Sequence, residues 1–271
     1  SVAGTNRSIT GANPLLEPTR AKSYDLGAEW YFSEGGLVAL TVFRKEIESH
    51  VQTLRTSINY AETGLPAEAA INACKNQGAA LGGYGDNCNE NIAWDFSTPA
   101  NGPGGDLNGY EISYQQPFTF LPGLLANFGF IGSYTYVDSD LDYLSANSDL
   151  TNNVLIVQAT KPLVNLSDTT TSATIYYEDD VFSGRVSVAT RSGYLTTPIG
   201  RNGNDEEGTN ETLNVDASFG YQLNEKVKFT FEALNLTDEV DDQWVGTESE
   251  QRLSYYHSTG RQFNLGVQYK Y

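Results

Sequence analysis

Apolar and polar residues alternate along this chain in short runs with a period of two. That is the repeat of a β-strand with one apolar and one polar face. From Gln262 to Tyr271 the alternation is unbroken. Phe263, Leu265, Val267, Tyr269 and Tyr271 fall on one side, and Gln262, Asn264, Gly266, Gln268 and Lys270 on the other. Residues 213–223 repeat it, with Leu213, Val215, Ala217, Phe219, Tyr221 and Leu223 set against Asn214, Asp216, Ser218, Gly220 and Gln222. A turn at 223–226 leads into Val227, Phe229, Phe231 and Ala233. Leu234 and Leu236 then take over the apolar parity, and a β-bulge is expected there. Upstream, strands are expected over 24–32, 37–54, 110–115, 128–136, 173–177 and 186–191, nine in all.

The connections sort by length. Short turns fall near 33–36, 119–123, 179–181 and 223–226, and long polar segments near 1–18, 56–105, 138–168, 197–210 and 238–252. Short and long alternate. A transmembrane β-barrel sorts its connections this way, with short turns on one side of the bilayer and long loops on the other. A soluble β-sandwich, the competing all-β reading, has no reason to. Asp25, Glu29, Glu111, Arg185, Arg191, Asp216 and Glu232 sit inside strands, where a packed core would bury them at high cost but a wet or plugged barrel lumen would not. Aromatic residues gather at strand ends, as membrane girdles require. The expected fold class is therefore all-β, an antiparallel transmembrane β-barrel forming one domain over 1–271.

Single-chain bacterial barrels have an even number of strands, and an open sheet edge in lipid leaves backbone groups unpaired. About nine strands are thus expected to be the C-terminal share of a larger barrel. No signal peptide opens the chain; it starts at Ser1-Val2-Ala3-Gly4 in loop-like sequence, and a missing N-terminal part is expected.

Composition agrees with this picture. No apolar stretch is long enough for a transmembrane helix. The formal net charge of −18 argues against a nucleic-acid partner, which needs clustered Lys and Arg. It leaves acidic external loops that could meet divalent cations or a polar ligand. Cys74 and Cys88 lie in a Gly/Asn-rich segment with no His nearby. A zinc site would need more ligands, so a disulfide worth about 3 kcal/mol is expected over two free thiols. No metal site or cofactor is expected.

No catalytic constellation is present. His50 and His257 are far apart and read as surface polar residues, and no nucleophile elbow, HExxH pair or P-loop occurs. Binding is the better reading. Aromatic platforms beside polar groups suit a small-molecule nutrient, and carbohydrates above all. The candidates are Trp94 and Asp95 in the long loop, Arg191 and Tyr194 near a strand top, and Trp244 in the last loop. Packing in a girdle or loop is the competing role for each.

Gly109-Tyr110-Glu111, Asn235-Leu236-Thr237-Asp238 and the run from Tyr256-His257-Ser258-Thr259-Gly260-Arg261-Gln262-Phe263 to Tyr271 resemble the C-terminal barrel of TonB-dependent outer-membrane receptors. Asn13-Pro14-Leu15-Leu16-Glu17-Pro18-Thr19 and Tyr24-Asp25-Leu26-Gly27 resemble the start of that family's last third. The resemblance covers essentially the whole chain. It implies a 22-strand-type barrel, with a plug and earlier strands outside these residues. It implies a Gram-negative outer membrane with its lipid and lipopolysaccharide, coupling to the TonB complex, and active uptake of a nutrient. Gly200-Arg201-Asn202-Gly203-Asn204-Asp205 with Leu213-Asn214-Val215-Asp216 is similar to a carbohydrate-uptake branch. A ferric-siderophore receptor and a passive porin are the alternatives. The last strand, through Phe263, Leu265, Val267, Tyr269 and Tyr271, looks like the signal read by the barrel-assembly machinery.

Overall fold

The computed structural model describes residues 2–3, 8–75, 93–145, 147–148, 154–199, 205–247 and 249–271, with backbone alone at 2, 3 and 73–75. Sixteen strands follow in order: β1 (Val2–Ala3), β2 (Ser8–Thr10), β3 (Arg20–Ser33), β4 (Gly36–Asn59), β5 (Ala93–Pro117), β6 (Phe128–Leu144), β7 (Val157–Lys161), β8 (Thr169–Glu178), β9 (Phe182–Arg191), β10 (Tyr194–Thr197), β11 (Glu206–Thr209), β12 (Thr212–Asn224), β13 (Val227–Leu234), β14 (Val240–Thr247), β15 (Glu250–Ser258) and β16 (Gln262–Tyr269). A helix, α1 (Ala67–Lys75), lies between β4 and β5.

Nine of these strands form the wall, in the order β3-β4-β5-β6-β8-β9-β12-β13-β16. They are the nine that the alternation predicts. From β6 onward the pairs are antiparallel, and the register carries each apolar face onto the next. Phe128 pairs with Tyr177, Tyr177 with Gly184, Gly184 with Phe219, Phe219 with Phe231, and Phe231 with Leu265. Directly paired residues point to the same side, so this row is one continuous apolar band. It is open: Leu265 is 87% exposed and Val267 67%. A contiguous apolar surface of this extent belongs in lipid. Aromatic rings cluster toward the short turns, with Phe182 5.3 Å from Tyr221 and Phe128 4.9 Å from Tyr177. That is the girdle expected on that side.

The short turns are made by local chemistry. Asn224 Oδ1 accepts from the amides of Lys226 and Val227 at 3.0 and 3.1 Å, turning β12 into β13. Asp179 Oδ1 does the same with Val181 and Phe182 at 2.8 and 2.7 Å, between β8 and β9. An Asn or Asp that satisfies its own turn is the usual device. The β3–β4 turn uses Gly35 at φ 70°, and a Cβ there would meet Pro117 Cγ at 2.7 Å.

Three expectations need correction. The strand expected over 37–54 runs from Gly36 to Asn59, and β5 begins at Ala93, well inside a segment expected to be loop. The polar segments 197–210 and 238–252 carry strands, and β10, β11, β14 and β15 make a separate four-stranded sheet. β15 is exposed and β10 half-buried along the whole length, so no alternation marks them. The expected bulge after Ala233 is instead a strand end: β13 stops at Leu234, and Asn235 turns the chain at φ 55°.

The chain packs as two compact units. One comprises residues 1–22, 47–105 and 141–160, and its core gathers Ile9, Tyr60, Ala70 and Trp94. The other comprises 23–46, 106–140 and 161–271 and holds the four-stranded sheet. Cys74 falls in α1, at a position where the backbone alone is described, while Cys88, its expected disulfide partner, and Gly200–Asn204 lie outside the described residues.

Candidate ligand site

In the second unit, β9 and β12 continue past the wall as the hairpin β10–β11, and β13 and β16 continue as β14–β15. The two hairpins join through β11 and β14, where Gly208 pairs with Trp244 and Thr209 with Gln243. Gly208 makes that junction possible. A Cβ on it would lie 2.4 Å from Trp244 Cζ2, so the indole lies directly against the β11 backbone. The ring is 5% exposed as a result.

Beside this junction is a cavity of about 320 Å³. Tyr194 and Trp244 supply its aromatic walls, with Leu166, Leu195 and Pro162. Its polar edge includes Lys161, Asp168, Glu206, Thr209, Asn210 and Gln251. Lys161 Nζ contacts Glu206 Oε1 at 2.5 Å, with the Glu206 side chain only 11% exposed. Asn210 is held by Asp242, donating from Nδ2 to Oδ2 at 2.9 Å.

Arg191 stands just outside the lining. Its guanidinium stacks on Tyr194, and its Nε donates to Ser167 Oγ. Ser167 Oγ in turn donates to the Ser192 carbonyl at 2.7 Å. The ring is therefore braced from one side by a cation fixed in place. The lining sets one cation, Lys161, against two carboxylates, Asp168 and Glu206, with Arg191 beside the lining and Asp242 behind Asn210. The arrangement can take a ligand that stacks on aromatic rings and exchanges many hydrogen bonds, and it offers no surplus of positive charge to an anion.

Of the five candidates from the sequence, Arg191, Tyr194 and Trp244 come together here. Trp94 and Asp95 belong to the other unit. Trp94 is 2% exposed, with its ring 5.3 Å from Tyr60 in that unit's core, so its faces are taken by packing. Asp95 is exposed and pairs with Ser8 across β2 and β5. Lys161, Glu206, Gly208 and Asn210 escaped sequence reasoning, because a single Lys, Glu, Gly or Asn in a polar segment carries no pattern. A second concavity, of about 480 Å³, lies on the polar side of the wall, with Arg185, Ser218, Lys228 and Glu232 among its lining. Two of the charges seen inside strands, Arg185 and Glu232, are in its lining.

The model of the family described as TonB dependent receptor-like, beta-barrel matches residues 2–236. Among solved structures, the siderophore receptor PiuA from Acinetobacter baumannii is 15% identical with a TM-score of 0.57, covering 100% of this chain and 32% of that one. The siderophore receptor PirA from the same organism is 15% identical with a TM-score of 0.55, covering 94% and 32%. The ferric enterobactin receptor PfeA of Pseudomonas aeruginosa is 14% identical with a TM-score of 0.51, covering 92% and 31%. The chain thus spans about a third of the length of these structures. No curated protein matches it.

Proposed function

Since this chain belongs to the TonB-dependent receptor-like β-barrel family and so to the cell outer membrane, we propose that it is the C-terminal barrel portion of a receptor that imports a scarce nutrient with energy relayed through TonB. The ligand we assign is a neutral, polyhydroxylated molecule of the oligosaccharide class. The observation that carries this is the cavity lined by Tyr194 and Trp244, whose lining holds one lysine against two carboxylates. Sugar C–H faces stack on aromatic rings, and hydroxyls suit the side chains of Asp168, Asn210 and Gln251. A ferric catecholate is strongly anionic and would lose its hydration against carboxylates with no cation left over.

The structural neighbours named for siderophores are the ground for the other reading. They share the fold at low identity. A titration of the purified receptor with a panel of neutral oligosaccharides and with ferric enterobactin separates the two. Saturable binding of a sugar, weakened by Tyr194→Ala, is the expected result. Binding of ferric enterobactin with no response to any sugar would sink the assigned ligand class.

Other parts of this reading follow from the family. The plug and the remaining strands complete the barrel, the polar wall concavity near Arg185 and Glu232 faces them, and lipid with lipopolysaccharide covers the apolar band. The strand carrying Phe263, Leu265, Val267, Tyr269 and Tyr271 serves as the signal for the barrel-assembly machinery. No catalytic step belongs to this function.

A further inference from the structure

Asn235 stands where the wall hairpin β13–β16 gives way to the outer hairpin β14–β15. Its backbone is left-handed, at φ 55°. Its side chain reaches both legs of the outer hairpin. Nδ2 donates to the Glu239 carbonyl at 3.1 Å, one residue before β14 begins, and to the Gly260 carbonyl at 3.3 Å, two residues after β15 ends. Oδ1 accepts from the Glu239 amide at 2.7 Å. The Asn235 amide itself donates to Asp216 Oδ1 on β12 at 2.8 Å.

Its neighbours tie the same corner to the next strand. Thr237 Oγ1 donates to the Leu213 carbonyl at 2.7 Å, and the Leu213 amide donates to Glu239 Oε2 at 3.1 Å. Arg261 Nε donates to the Leu236 carbonyl at 2.9 Å, closing the corner from the β16 side. Asn is the residue type that tolerates the left-handed region and also bonds local backbone. Few other side chains could serve both legs from this position.

Trp244 lies on β14, five residues after Glu239, and meets Gly208 across the sheet. We propose that Asn235 is a positioning residue for the ligand cavity: it sets the angle at which β14 leaves the wall, and so the place of the Trp244 ring in the cavity lining. The inference rests on the cavity being the ligand site, and it extends that reading to a residue outside the lining. A site whose supporting residues are loose by a fraction of an ångström loses preorganisation and affinity.

The test uses the complete receptor labelled with fluorotryptophan. The chain has three tryptophans, Trp30, Trp94 and Trp244. The fluorine signals of these three are picked out from any others in the complete receptor by their loss in Trp30→Phe, Trp94→Phe and Trp244→Phe. Asn235→Gly keeps the left-handed backbone open to the chain and removes all four side-chain bonds, the 3.4 Å bond from Thr237 Oγ1 to Asn235 Oδ1 included. It should move or broaden the Trp244 signal and leave those of Trp30 and Trp94 in place. Affinity for the oligosaccharide that binds the unaltered receptor should fall about tenfold. Asn235→Asp keeps the bond from the Glu239 amide and loses the two donated ones; it should give a smaller shift in the same signal, and it serves if the glycine variant does not assemble. A Trp244 signal unchanged in both variants, or equal movement of all three signals, overturns the proposal. Because the signal is read without ligand, a receptor that binds no sugar would remove the ligand assignment and leave this test standing.

Discussion

The guanidinium carbon of Arg191 sits 4.0 Å from the centre of the Tyr194 ring, while Arg191 Nε is held by Ser167 Oγ at 2.8 Å. A cation on one face of the ring leaves the other face for a ligand. The stack contributes about 0.5–1 kcal/mol and the hydrogen bond about 1 kcal/mol. Arg191→Lys keeps the charge but loses the planar stack and the Nε bond. Ligand affinity should drop roughly ten- to thirtyfold, taking about 1.4 kcal/mol per factor of ten. A titration with the cognate ligand checks this, and unchanged affinity would mean that Tyr194 needs no brace.

Gly208 tests the second wall of the cavity. In Gly208→Ala the new methyl would lie 2.4 Å from Trp244 Cζ2, well inside contact distance. Overpacking of this kind costs about 1–3 kcal/mol. The indole should swing off β11 and become more exposed, with red-shifted Trp244 emission and loss of binding. Emission and affinity both unchanged would show that Trp244 does not depend on this contact.

The ion pair of Lys161 and Glu206 joins β7 to β11. Glu206 is nearly buried and Lys161 is partly open. Replacing the lysine by methionine strands a carboxylate with little access to water, whereas replacing both residues removes the charge altogether. Lys161→Met should therefore speed hydrogen exchange of β11 amides more than Lys161→Met with Glu206→Gln. The opposite order would show that the pair itself, rather than the stranded charge, stabilises the sheet.

His50 gives a pH dependence. Its Nδ1 donates to the Pro103 carbonyl at 3.0 Å, its ring meets Tyr143 edge-on at 5.7 Å, and its Nε2 is buried without a partner. Burial holds its pKa below the ordinary histidine value, opposed by the Pro103 bond and the charge of Asp142. The folded pKa is lower than the unfolded one, so the unfolded segment binds more protons. Stability of this part of β4 and β5 should be level above a pH of about 6.5 and fall as the pH drops below it. Hydrogen exchange at residues 47–54 across that range is the measurement. His50→Gln should flatten the profile, and an unaltered slope in that variant would assign the effect elsewhere.

Asp179 predicts the reverse kind of titration at a lower pH. The Tyr177 hydroxyl and the Phe182 and Val181 amides hold its carboxyl below the usual carboxylate range. The turn is therefore stabilised above the ordinary Asp value and weakens as pH falls through the depressed one. Asp179→Ala should loosen the β8–β9 turn at neutral pH, seen as faster exchange of the Val181 and Phe182 amides. Equal exchange in the two proteins would remove Asp179 as the organiser of that turn.

The sequence by itself determined the nine wall strands, the apolar face of each except over 37–54, where Leu40, Val42 and Phe43 do not share parity, and the side on which the short turns lie. Alternation with period two is a local signal, imposed wherever one face meets lipid and the other does not; Phe219 and Ser218 differ because their surroundings differ. The motif Asn235-Leu236-Thr237-Asp238 was visible too, but its task was not, since its partners Leu213, Asp216 and Gly260 are distant in the chain. Only the tertiary structure decided the outer sheet and the cavity. Strand β15 is exposed along its whole length and β10 is half-buried along its whole length, so no alternation of apolar and polar residues is imposed on them. Lys161 and Glu206 are 45 residues apart. Trp94 and Trp244 look alike as loop tryptophans, yet one fills a core and the other walls a cavity. That difference comes from which backbone lies beneath each ring, and Gly208 marks it for Trp244 only once the strands have paired.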